Sequence, residues 1–115
     1  MPRSQLASRA YAAASVNKTT RQQEADVFRL VIGRLQAARN AGPIERVRAL
    51  ADNRRLWTLV SDLLRDSSNS LPPETRAGMV SIGLTVQREM DADEPNFDFL
   101  ITINKHIADG LSGDP

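Results

Sequence analysis

Residues 44–65 read IERVRALADNRRLWTLVSDLLR, with neither glycine nor proline to interrupt a helix. At about 100° per residue, Ile44, Val47, Leu50 and Ala51 share one face. Leu56, Trp57, Val60, Leu63 and Leu64 share another, rotated from the first by roughly 130°. The handover falls at Asp52-Asn53-Arg54-Arg55. A break with Asp52 or Asn53 as cap would give the same pattern, but a continuous or lightly kinked helix that changes packing partners suits the missing breakers better. The segment therefore predicts a helical bundle.

Outward from this stretch the same periodicity recurs. On the N-terminal side, Thr20 with Gln23 fits a capping box that opens a helix to about residue 40. Its stripe is Val27, Phe28, Val31, Ile32, Leu35 and Ala38. Gly42 stops it, and Pro43 suits the first turn of the next helix. Before it, residues 4–15 form an alanine-rich segment with Leu6, Ala10, Tyr11, Ala13 and Ala14, where alanine favours helix and permits close approach.

On the C-terminal side, Asp66-Ser67-Ser68-Asn69-Ser70 is loop chemistry, and Pro72-Pro73-Glu74 opens a helix over 73–91. That helix is apolar on two sides, Ala77, Val80 and Leu84 against Met79, Ile82, Val86 and Met90, which predicts a central position in the bundle, with a partner groove on one side as the alternative. Pro95 begins a last helix over 95–111, striped by Phe97, Leu100, Ile101, Ile107, Ala108 and Leu111, with Asn104 in the middle. No stretch alternates as a strand does. The expectation is an all-α fold, one domain over 1–115 with flexible ends at 1–3 and 112–115. Its helices fall near 4–15, 20–40, 44–65, 73–91 and 95–111.

The 115 residues are 41% apolar and 25% charged, an ordinary globular balance. With no cysteine there are no disulfides or thiolate metal sites, and the lone His106 excludes a multi-histidine site within one chain. No cofactor or metal is expected. No nucleophile–base constellation or phosphate loop stands out, so the chain reads as a non-enzyme. It lacks a membrane-length apolar run and a signal-like N-terminus, which predicts a cytoplasmic protein.

The net charge of +1 conceals an asymmetry: residues 1–57 carry 11 Lys/Arg against 4 Asp/Glu, and residues 58–115 carry 4 against 10. Attraction between the two halves explains this, and a basic surface for an acidic partner or RNA is the competing explanation. The bases are spread out and aromatics are only 4% of the chain, which speaks against direct nucleic-acid binding.

Two features point to a site. Arg54 and Arg55 stand beside the only tryptophan, Trp57: either Trp57 is core and the arginines reach carboxylates or helix carbonyls, or the three form a partner-binding surface, since these residue types recur at binding hot spots. Asn53 and Asn104 are candidate structural polar groups, because an amide within an apolar stripe needs hydrogen-bond partners.

At these residues the sequence resembles a known family. Tyr11-Ala12-Ala13-Ala14, Asn53-Arg54-Arg55-Leu56-Trp57, Asn69-Ser70-Leu71-Pro72 and Ile103-Asn104-Lys105 are similar to FlaF, the flagellin-biosynthesis regulator of alphaproteobacterial flagella. The motifs keep order and spacing over nearly the whole chain; Lys105 stands where arginine is expected, and Arg9-Ala10 where Asn-Ala is common. The resemblance implies a small helical cytoplasmic protein that binds flagellin in a chaperone-like way, promotes its synthesis and secretion, and acts opposite the repressor FlbT. The alternative it leaves open is an RNA-associated regulator acting on flagellin message with or against FlbT. Steep salt dependence would mark phosphate contacts and set the two apart. Neither reading fixes the oligomeric state.

Overall fold

The computed structural model describes residues 20–112, all of whose regular structure is helical. Its four helices are α1 (Thr20–Ala38), α2 (Pro43–Arg65), α3 (Pro73–Met90) and α4 (Phe97–Ser112). The expected helix over 4–15 lies outside the described residues. Thr20 is already helical, so the capping position before it also lies outside them.

α2 is unbroken, as the absence of glycine and proline predicts. Gly42 is its N-cap, with extended backbone and no side-chain cap bond, and Pro43 follows in the first turn. At the other end, Asn69 Nδ2 donates to the carbonyl of Leu63 at 2.9 Å. Asn69 Oδ1 accepts the amide of Leu71 at 2.9 Å. The segment read as loop chemistry thus serves as a cap for α2. Asp66 Oδ1 accepts both the amide and the hydroxyl of Ser68, at 2.9 and 2.8 Å. These two bonds, with the nearby Arg76 charge, hold the Asp66 carboxyl below the usual range.

α4 starts two residues after the proline assigned to its first turn. Asn96 Oδ1 accepts the amide of Phe99 at 3.1 Å, the geometry of an N-cap, so Pro95 precedes the helix.

α1 packs on both α4 and α2, and α3 packs on α2. The core gathers Phe28, Val31, Ile32 and Leu35 of α1, Leu56 and Trp57 of α2, Val86 and Met90 of α3, and Phe97, Leu100, Ile101 and Ala108 of α4. Three expectations need correction. Val27 lies outside the α1 stripe, which is extended instead by Ala25. α3 is peripheral: its Val86 and Met90 side is buried, but Val80 and Leu84 face solvent. On α2 the buried stripe is one continuous line, Ala49, Asn53, Leu56, Trp57 and Leu64, and Ile44 and Val47 are each 65% exposed.

Ion pairs tie the helices on the outside. Arg39 reaches Asp98 at 2.6 Å, Arg29 reaches Asp109 at 3.6 Å and Arg54 reaches Asp91 at 3.2 Å. Each joins a base of the first half to an acid of the second. Being exposed, each contributes about 0–1 kcal/mol.

Gly83 of α3 faces the Trp57 ring across the α2–α3 contact. A Cβ at Gly83 would lie 3.6 Å from Trp57 Cε3, ordinary van der Waals contact. Gly83→Ala should therefore be tolerated and add up to about 1 kcal/mol through helix propensity. Gly83→Leu should lose about 1–3 kcal/mol by overpacking the indole. Thermal melts of the two variants check the opposite signs.

Candidate functional site: a buried polar chain and an open apolar groove

Asn53 and Trp57 stand one turn apart on α2 and point inward together. Asn104 comes from α4 to meet both, and all three are 0% exposed. The indole N–H of Trp57 donates to Asn104 Oδ1 at 2.9 Å. Asn104 Nδ2 donates to Asn53 Oδ1 at 2.7 Å. Asn53 Nδ2 donates to the Met90 sulfur at 3.1 Å. An indole N–H can only donate, so it fixes the orientation of the Asn104 amide, which in turn fixes that of Asn53. The chain runs one way, from α2 through α4, back to α2 and on to α3. Phe28 closes the indole from α1, edge-on at 5.9 Å between ring centroids.

This arrangement sorts the sequence-predicted residues. Asn53, Trp57 and Asn104 come together in the interior. Of the two readings of Trp57, the core one holds: it has no exposed area to offer a partner. Arg54 and Arg55 are on the outside and apart from the network. Arg54 turns toward α3 and Asp91, and Arg55 lies 3.6 Å from Asp52 within α2. Asp52 also accepts Arg34 of α1 at 3.0 Å. His106 is exposed on α4.

Sequence reasoning missed an open apolar concavity. Between the first turns of α1 and the last turns of α2 lies an open groove of about 460 Å³. Val27, Leu59, Val60 and Leu63 line it, Ser68–Leu71 form one wall, and Met79 and Leu111 come in from α3 and α4. Leu59 is 59% exposed and Leu63 53%. The available signal was there: Leu59 and Leu63 are spaced i, i+4 and Val27 sits off the α1 stripe. Among the described residues, no group of three His, Cys, Asp or Glu side chains could hold a metal ion. No helix among them is long and apolar enough to cross a membrane.

Residues 7–111 match the family model of the flagellar protein FlaF, nearly the whole chain, and the chain belongs to that family. No curated protein and no solved structure matches it.

Proposed function

We propose that this FlaF-family chain is a cytoplasmic, non-catalytic protein that binds flagellin, shields an apolar helical segment of it, and so promotes its production and secretion. The observation that supports this reading is the open groove. Val27, Leu59 and Leu63 present apolar surface along two helices, a shape suited to an amphipathic helix laid lengthwise. Exposed leucines at i, i+4 spacing on a small chain mark an interaction surface more readily than a solvent face. FlbT enters this reading as a functional counterpart.

Arg54 lies beside Asp91, and Arg55 beside an Asp52 that it shares with Arg34, so we place docking in the groove rather than on that face. The same pairing weighs against the RNA alternative, because it leaves less basic charge for phosphates.

Titration of purified protein with flagellin tests the reading. Leu59→Asp with Leu63→Asp should weaken binding by roughly tenfold or more, as loss of a central apolar contact does. Neither side chain belongs to the core, so the variant should keep its helical circular dichroism, which is checked before binding. Arg54→Glu with Arg55→Glu, once shown to be folded, should change affinity by less than about threefold. Full binding by the folded Leu59/Leu63 variant would sink the groove assignment. Wild-type protein that ignores flagellin but binds its message in a salt-sensitive way would replace the proposal with the RNA reading.

A further inference from the structure

The groove opens where the described chain begins. Thr20, Arg21 and Glu24 of the first turn of α1 form one of its edges. Whatever precedes Thr20 in the chain therefore emerges at the mouth of an apolar groove. What precedes it is the segment over 4–15 that the sequence predicts to be helical.

Three properties of that segment fit the groove. The first is pattern. Leu6, Ala10, Ala13 and Ala14 are spaced i, i+4, i+7 and i+8, one face of a helix. Alanines on that face allow close approach to the protruding Leu59 and Leu63, and Leu6 supplies bulk. The second is reach. The groove runs along about eight residues each of α1 and α2, roughly 12 Å, and a helix over 4–15 is roughly 18 Å long. Residues 16–19 can extend by up to ~14 Å, enough to reverse direction. The third is charge. Residues 1–19 carry Arg3, Arg9 and Lys18 and no acid, and the C-terminal end of α2 brings the negative end of its dipole, with Asp62 and Asp66 against one base, Arg65. The family match, moreover, starts at residue 7, so most of the segment belongs to the domain rather than to an appended tail.

We infer that residues 4–15 dock as a helix in this groove within the same chain, and that a client helix must displace them. The docking stands on the groove and the segment alone; the displacement rests on the function proposed above.

The absence of cysteine makes the test direct. In the full chain, Ala10→Cys is paired with Leu59→Cys or with Leu63→Cys, and as a control with Val80→Cys on the outer side of α3. Each pair is oxidised at low protein concentration. Docking predicts a disulfide at monomer mass for at least one groove pair and several-fold less for the Val80 pair. Equal or absent crosslinking in folded protein would overturn it. A crosslink found only at dimer mass would also overturn it, in favour of a segment exchanged with a second copy. The crosslinked chain should then lose flagellin affinity by roughly tenfold or more and regain it on reduction. A crosslinked chain that binds flagellin as well as the reduced one would overturn displacement. Reduced chain that binds no flagellin would overturn the proposed function instead, and the crosslink alone then decides the docking.

Discussion

Trp57→Ala is expected to remove about 3–5 kcal/mol of folding stability. That is a large share of the roughly 5–15 kcal/mol that holds a domain of this size. The indole is fully buried and touches every helix: Phe28 of α1 edge-on, Gly83 of α3 against its ring, and Asn104 of α4 through its N–H. Truncation leaves a cavity that four helices would have to close, and it removes the donor on which Asn104 depends. Trp57→Phe separates the two contributions. It refills most of the volume but leaves Asn104 Oδ1 without its donor, a loss of about 1–3 kcal/mol. Urea unfolding followed by circular dichroism should therefore rank wild type above Trp57→Phe, and Trp57→Phe above Trp57→Ala. A phenylalanine variant as stable as wild type would remove the hydrogen bond from this account.

Asn104→Asp is expected to cost about 3–5 kcal/mol near neutral pH, and much less in acid. The change replaces one NH₂ by oxygen in a site with no exposure. As a carboxylate, the new group accepts from Trp57 but cannot donate to Asn53, and it buries an unpaired charge. As a carboxylic acid, it accepts through one oxygen and donates through the other, reproducing the pattern of the amide. Folding therefore raises its pKa above the unfolded value of about 3.9. Between those two values the folded state binds more protons, so the variant loses stability relative to wild type as pH rises through the folded pKa. Paired denaturant curves at several pH values check this. A penalty independent of pH would point to a site wet enough to solvate the carboxylate.

The helical class and most helix limits were legible because glycine, proline and i, i+4 spacing act locally. α2 begins one residue from where it was expected, and α3 ends one residue short. What failed was the reading of faces. A polar residue at position 53 interrupts the apolar pattern, so periodicity turns the α2 stripe at Asp52-Asn53-Arg54-Arg55. It runs straight through, because the Asn104 carboxamide makes Asn53 an interior residue. No sequence rule reveals that partner, 51 positions away. Two apolar sides predict a central α3, yet among the described residues only α2 covers it closely. Periodicity shows that a face is apolar, and not whether another part of the chain comes to meet it. The charge asymmetry was legible: attraction between the halves is the reading the sequence favours, and Arg39 and Arg54 reach acids of the second half.

The interior position of Trp57 also has an optical consequence. The chain has one tryptophan and one tyrosine, so all indole emission comes from the junction of the four helices. A dry, rigid indole emits at shorter wavelength than a hydrated one, which turns the native junction into a built-in fluorescent gauge. Tyr11, on the segment proposed to dock, is the only phenol in the sequence that can pass excitation to it. Phe28 and Leu56 line the groove and pack in the same core as the indole, so a docked segment brings donor and acceptor close. Tyrosine-sensitised tryptophan emission should fall when a client enters, without any label.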